Sequence, residues 1–526
     1  MAIHTENYSM NNTNQRKGLA GVIAASSLGT LIEWYDFYIF GSLATIISTK
    51  FFPAGNQTAA LLSTLATFAA GFVVRPFGAL FFGRLGDLIG RKYTFLVTLV
   101  IMGLSTFLIG CIPSYETIGF LAPILVLILR LLQGLALGGE YGGAATYVAE
   151  HSPQKERGFW TSWIQTTATL GLFISLMVII FTKGAMTDKS FNAWGWRIPF
   201  WISILMVGVS IVIRMRMKES PLFAKVKAEG KTSTNPLRES FGNKLNFKFV
   251  LLALFGATMG QGVVLYTGQF YALSFIQNTL HIEITQASKL IMYALGFATP
   301  FFLFFGWLSD KIGRKWIMLA GMLLAIVSYR SIYSSMYDVA SITNKTEVPA
   351  NTTTSVTEAA DENNAKSTTK STVTMRLYTD GTKYKEVKTE TAGPTLISKI
   401  DKAVTVDAHS FWKLVWLVFI QVIFVTMVYG PIAAFLVEMF PIKIRYTSMS
   451  LPYHIGNGIF GGLLPAIATF LATKATQANE AAQQAGKALP YNKPFLEGLW
   501  YPIIVAAVSL VIGAVYINGK DKSTEG

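Results

Sequence analysis

One cysteine, Cys111, occurs in 526 residues. That excludes a disulfide framework within the chain and a metal cluster of the CxxC type. Charge is also scarce. Charged residues make up 14% of the chain, against about 25% in soluble domains. Acidic residues are the rarer sign, 29 against 44 basic, which leaves a net charge of +15. Such a balance suits a nucleic-acid binder. Here, however, the basic residues gather in short segments between apolar runs, the distribution that orients a membrane protein. No nucleophile–base set and no phosphate-cradling loop is found, so an enzyme is not expected. No cofactor, metal or nucleic-acid partner is expected either. A cleavable leader is also not expected. Residues 1–18 are polar, and the first apolar run, about 19–48, is long and carries Glu33 and Asp36.

What the chain has is apolar length: 52% hydrophobic residues, in repeated runs near or above about 20 residues. These runs predict an all-α polytopic membrane protein. Two stretches between them repeat. Gly83-Arg84-Leu85-Gly86-Asp87-Leu88-Ile89-Gly90-Arg91-Lys92 and Gly306-Trp307-Leu308-Ser309-Asp310-Lys311-Ile312-Gly313-Arg314-Lys315 keep Gly, Leu, Asp, Ile, Gly, Arg and Lys at one spacing. Such self-similarity marks an internal repeat, so the chain reads as two halves of one ancestral unit. Each copy reads as a tight turn between antiparallel helices. Gly90 and Gly313 suit a positive φ or a close backbone approach. Asp87 and Asp310 suit the N–H groups of a neighbouring helix N-terminus. Arg91 and Arg314, each followed by lysine, pin the turn to the cytoplasmic side.

Several polar residues lie inside the runs. In helix 1, Glu33 and Asp36 share a face. A charge at mid-bilayer costs about 2.5–3.5 kcal/mol or more, so each reads as a proton or substrate site, or as half of a structural ion pair. Helix 2, about 57–82, carries Arg75 before Pro76 and about two turns from its cytoplasmic end, which suits snorkelling. In helix 4, about 119–148, Gly134 and Gly138 form a small-xxx-small pair. Arg130 lies deep and needs an acidic or carbonyl partner; Glu140 follows ten residues later. Helix 5, about 159–182, has a polar stripe of Gln165, Thr166, Thr167 and Thr169, and helix 7, about 248–276, has Gln261, Tyr266 and Gln269. In helix 11, His454 reads as a group titrating near neutral pH or as a hydrogen-bonded packing residue.

The expected division is a tail at 1–18, a six-helix half at 19–216, a basic central loop at 217–247, a second half at 248–517 and a tail at 518–526. Within the second half, residues 337–409 are too polar to span and form an extracytoplasmic insert. Asp380-Gly381 between two β-prone runs predicts a hairpin there. Residues 474–495 read as an outer loop. Lysine and arginine number 23 in the proposed cytoplasmic segments and 6 in the short outer loops, a bias that puts both termini in the cytoplasm.

The repeated stretch resembles the signature loop of the major facilitator superfamily. Glu33-Trp34-Tyr35-Asp36-Phe37, Arg75-Pro76-Phe77-Gly78, Arg130 to Gly139, Trp196-Arg197-Ile198-Pro199-Phe200 and Glu219-Ser220-Pro221 together resemble its metabolite:proton symporter family. The resemblance covers the chain outside the insert. It implies twelve helices in two six-helix halves, and transport of a small metabolite with a proton across the inner membrane by alternating access. It implies a monomer whose partners are the metabolite, the proton and lipid. The substrate and proton pathway would involve Glu33, Asp36, Arg130, Glu140, Gln165, Gln261, Tyr266 and Gln269. Gly83, Asp87, Gly90 and Arg91, and by pseudo-symmetry Gly306, Asp310, Gly313 and Arg314, would form gates, with Asp310 meeting helix 5 near Gly158. Helix 5 lacks the Gly-Pro motif typical of antiporters of the superfamily. An uncoupled facilitator, an antiporter and a nutrient receptor remain alternatives.

Overall fold

The computed structural model describes residues 21–53 except 22 and 25, then 57–89, 91–139, 141–216, 242–361, 364–392, 397–440 and 445–517. Glu140, Gly90 and the side chains of residues 83–95 lie outside what it describes. The site residues expected at Gly83, Asp87, Gly90, Arg91 and Glu140 therefore receive no side-chain account.

Twelve membrane helices are present. α1 occupies 26–42 and continues, after a break at Leu43, as Ala44–Phe51. α2 is Gln57–Val73 followed by Arg75–Ile89, and α3 is Arg91–Cys111. α4 is Leu121–Gly138 with Tyr141–His151, α5 is Arg157–Gly184 and α6 is Ile198–Arg216. α7 spans Lys244–Asn278, α8 Ile284–Ile312 and α9 Arg314–Ala340. α10 is Ala408–Tyr429 with Ile432–Met439. α11 runs from Arg445–His454 to Leu464–Gln484, and α12 is Trp500–Tyr516. Among the described residues, ten helices are long and apolar enough to cross a membrane, and α3 adds the shorter apolar stretch Leu96–Cys111.

Local chemistry sets the breaks. α2 is interrupted at Val74, just before Arg75-Pro76, because proline supplies no N–H and its ring crowds the carbonyl four residues back. α8 begins where the Glu283 carboxylate accepts the Gln286 N–H, and α10 where Asp407 accepts those of His409 and Ser410. α7 widens into π turns at Leu254–Thr258 and Thr267–Tyr271, and α11 at Ile455–Gly461. α11 extends through the stretch expected as a loop after about residue 474, since its Ala- and Gln-rich sequence favours helix. The second signature stretch makes the expected tight turn, and does so with a single residue. Gly313, at φ 98°, is the whole turn between α8 and α9. The first copy is likewise helical up to Ile89 and again from Arg91.

Within the first half, α4 lies against α2. A Cβ on Gly134 would stand 1.8 Å from Gly71 O, and one on Gly138 would stand 2.1 Å from Arg75 O. This is the close crossing that small-xxx-small spacing permits. The halves meet along α2–α11 and α5–α8.

The insert folds as a four-stranded antiparallel meander: β1 Thr353–Asp361, β2 Asn364–Leu377, β3 Lys383–Ala392 and β4 Ile397–Thr405. β2 and β3 are the expected hairpin, with Leu377 opposite Lys383 and Gly381 at φ 88° in the turn. The sheet is larger than a hairpin because polar Thr- and Lys-rich segments add β1 and β4 at its edges. Its base docks on the α7–α8 loop. The Val404 N–H donates to His281 O, the Glu283 N–H donates to Val404 O, and the Gln286 side chain bonds both backbone groups of Val406.

Candidate functional site: the buried interface between the halves

Arg75 does not snorkel. It is 1% exposed. Its guanidinium lies over the rings of Phe72, Phe37 and Trp34, at 4.0, 4.5 and 5.1 Å from the ring centroids. Four tyrosines surround its charge: Tyr38 from the first half, and Tyr266, Tyr429 and Tyr453 from the second. Its Nε and Nη2 make no hydrogen bond of good geometry, nor do the hydroxyls of Tyr38 and Tyr266, although the Tyr266 hydroxyl lies near both Arg75 and Tyr38. Tyr429 and Tyr453 share a hydrogen bond of 2.7 Å between hydroxyls. Tyr453 also stacks on Tyr141 across the interface, with centroids 3.4 Å apart. Burying a cation with unused donors costs several kcal/mol. The aromatic faces offset part of that cost, and two donor nitrogens are left without a partner. Sequence reasoning passed over this centre. The signal was the i,i+4 pair Trp34 and Tyr38 on α1 with an arginine at a helix break.

Arg130, fully buried, is spent differently. It donates to Gln133 Oε1 at 2.7 Å and to the carbonyls of Phe37 and Phe68 at 3.3 Å each. Gln133 donates in turn to Thr106. The side chain thus ties α1, α2, α3 and α4 together, with carbonyls rather than carboxylates as partners.

Glu33 and Asp36 are buried. Asp36 lies beside Gly103 of α3 and Ser203 of α6, and neither of its oxygens makes a hydrogen bond of good geometry. It is therefore not brought against Arg130. Gln165 donates to the Tyr141 hydroxyl at 2.6 Å, which leaves its Oε1 unpartnered. Gln269 of α7 donates across the interface to Thr169 of α5 at 2.8 Å, and its Oε1 is also unpartnered. Gln261 forms a reciprocal amide pair with Asn457, so both amides are occupied within the second half. Tyr266 packs edge-on against Phe72, 5.0 Å between centroids. Thus Tyr266, Gln165 and Gln269 converge on the interface, whereas Asp36 and Arg130 belong to the interior of the first half.

Among the described residues, the halves are held together at both ends of the interface. At the end carrying the signature stretches, Asp310 accepts the N–H groups of Gly158 and Phe159, each at 2.9 Å, and pairs with Arg314 at 2.7 Å. Arg314 reaches Glu438 at 3.0 Å, and Arg157 lies 3.8 Å from the same carboxylate. α5 and α8 touch backbone to backbone there. A Cβ on Gly158 would lie 2.5 Å from Gly306 O, and one on Gly306 would lie 2.7 Å from Gly158 O. At the insert end, Lys183 of α5 pairs with Glu283 of α8, and Thr45 donates to Asn278. Burial raises the Glu283 pKa, but the Lys183 bond and charge, together with hydrogen bonds from Thr285 and Gln286, outweigh it. The carboxyl therefore sits below its ordinary value.

Twelve spans in two halves, with polar side chains buried between them, define a multi-pass membrane protein. Comparison with known proteins places it further. Residues 22–249 match the family model described as sugar (and other) transporter. The chain is 36% identical over 333 residues to the proline/betaine transporter of Escherichia coli K12, covering 60% of this chain and 66% of that one, just under two thirds of its length. It is 34% identical over 337 residues to the alpha-ketoglutarate permease of the same organism, covering 64% and 76%. The crystal structure of a D-xylose-proton symporter superposes with a TM-score of 0.61 at 16% identity, covering 95% of this chain and 98% of that one. The chain belongs to the sugar (and other) transporter family of the major facilitator superfamily.

Proposed function

We propose that the chain is a proton-coupled symporter of a small carboxylate-bearing or zwitterionic metabolite, working by alternating access. The observation that carries this reading is Arg75: a buried cation at the seam of the halves, with two unused donor nitrogens inside an aromatic box. A substrate carboxylate would take those donors in a charge-assisted pair. The unpartnered amide oxygens of Gln165 and Gln269 would accept from an amine or hydroxyl of the same molecule, and the rings would face its apolar or cationic part. The names of the relatives fit this chemistry, since a betaine, an imino acid and a keto acid each carry a carboxylate.

In this reading the 23-to-6 charge bias puts the signature-stretch end and both termini in the cytoplasm. The halves at 19–216 and 248–517 rock about the Arg75 seam. Asp310 and Arg314, with Gly306 and Gly313, form the inner gate, and Gly83, Asp87, Gly90 and Arg91 are their counterparts. Glu33, Asp36, Glu140 and Arg130 are candidates for the proton route or its support.

The test is uptake of labelled proline, glycine betaine and α-ketoglutarate into proteoliposomes, with and without an inward proton gradient. Accumulation only with the gradient is expected. Equal equilibration under both conditions would replace symport by an uncoupled facilitator.

A further inference from the structure

We infer that His454 on α11 is a proton-binding site of the transport cycle, linked through Arg75 to the carboxylate of the substrate. This rests on the reading of Arg75 given above. His454 is 1% exposed and stands where α11 widens into its π turn. Neither ring nitrogen has a hydrogen-bond partner. Leaving a buried polar atom unpaired costs about 1–3 kcal/mol, and a purely packing residue would be better made of carbon. The ring meets Tyr141 and Tyr453 edge to face, at 6.4 and 5.4 Å between centroids. These contacts hold the ring in place without occupying either nitrogen.

Among the described residues, the charged and titratable groups facing it are few. Arg75 of α2 acts on its charge from across the seam. Tyr141 of α4 and Tyr453 of α11 flank it, and Tyr429 of α10 lies behind, bonded to Tyr453. No carboxylate is among them. A proton on the imidazole and the Arg75 guanidinium are like charges in one dry volume. A substrate carboxylate on Arg75 cancels one of the two. The anion and the proton therefore each favour the binding of the other, a coupling that is reciprocal by necessity. One proton enters an imidazole nitrogen from the outer aqueous phase with the substrate and leaves it to the inner one. No other bond changes. Asp36, by contrast, faces α3 and α6.

The test uses the full chain in proteoliposomes, with labelled proline and α-ketoglutarate as probes and an entrapped pH dye. Wild type should carry close to one proton per substrate through this site. Its exchange rate should change at least about tenfold between about pH 5.5 and 7.5, as one linked proton allows. In H454Q the ratio should fall by about one proton, and the pH dependence should shrink to within about twofold. Should H454Q move too little substrate to count, calorimetry of probe binding in buffers of differing ionisation enthalpy reads the same proton without transport. A loss of bound proton in H454Q is expected there too. An unchanged proton count in H454Q, by flux or by calorimetry, overturns the histidine alone. If wild type neither binds nor exchanges either probe, the carboxylate reading of Arg75 fails and this assignment falls with it.

Discussion

The inner gate should depend on one charge. Asp310 receives two backbone N–H groups at the start of α5 and the Arg314 guanidinium. Asp310→Asn keeps the shape but removes the charge. A hydrogen bond to a charged group is worth about 1.5–3 kcal/mol. A negative charge at a helix N-terminus adds about 0.3–1 kcal/mol. The closed end should thus lose about 2–4 kcal/mol relative to the open one, a shift of about 30- to 1,000-fold in their ratio. Thr146 of α4 is a suitable reporter. It is buried, and its hydroxyl lies 3.4 Å from the Met449 sulfur of α11, across the seam. In a Cys111→Ser background, Thr146→Cys should be slow to label with an impermeant maleimide in inside-out vesicles. Adding Asp310→Asn should speed labelling at least about tenfold. Asp338→Asn is the control, since that exposed carboxylate, among the described residues, pairs with Lys493 and lies away from the gate. An increase of less than threefold with Asp310→Asn would refute the gate as described here.

Three further outcomes are expected. Gly158→Ala, whose Cβ would meet Gly306 O at 2.5 Å, should also open the inner end and raise Thr146→Cys labelling, without lowering the melting temperature by more than a few degrees; unaltered labelling counts against close packing as part of the gate. At the outer end, the Glu283 carboxyl sits below its ordinary value, so its pairing with Lys183 contributes fully above about pH 4.5 and is lost as pH falls through the depressed value. Labelling of Asn278→Cys from outside should therefore be flat from about pH 8 to 5 and rise only in stronger acid, and Glu283→Gln should show the raised level throughout. Cysteines at Ser233 and at exposed Thr379 should label from opposite sides of the membrane, and labelling from the same side would break the proposed helix order.

The fold was legible because its signals are long. Apolar runs of membrane length, a ten-residue repeat and a one-sided distribution of Lys and Arg leave little room for another architecture. Local chemistry was legible where one residue type has one use. Gly313 turns a chain that must reverse, and Gly134 and Gly138 admit a neighbouring backbone. The site was less so. Arg75 and Arg130 look alike in sequence, each buried in an apolar run. Arg75 keeps two unpartnered nitrogens and Arg130 only its Nε, a difference that depends on carbonyls supplied by Phe37 and Phe68 from other helices. No periodicity records that. Likewise the i,i+3 spacing of Glu33 and Asp36 tells that they share a face, not that Asp36 meets α3 and α6 instead of the seam.

The two ends of the seam are closed by different means, and the insert bears on only one of them. At the signature-stretch end the closing groups include a carboxylate, two N–H groups and two glycines, all within the transmembrane helices themselves. At the insert end the pairing residue Glu283 is also held from behind. Its N–H is bonded to Val404, and one turn on, Gln286 holds Val406 through two further hydrogen bonds. Lys345 at the start of the insert pairs with Asp380 at the β2–β3 turn at 2.5 Å and lies 3.9 Å from Asp407, the cap of α10. The sheet thus links the starts of α8 and α10 to the end of α9, elements of one half only. A brace confined to one half does not itself lock the halves together. It fixes where that half presents Glu283, so in the proposed cycle Lys183 would meet a preset partner at each closure. Under that proposal the loop-ordering cost of about 1–2 kcal/mol per residue would be met once, on folding, and not at each closure.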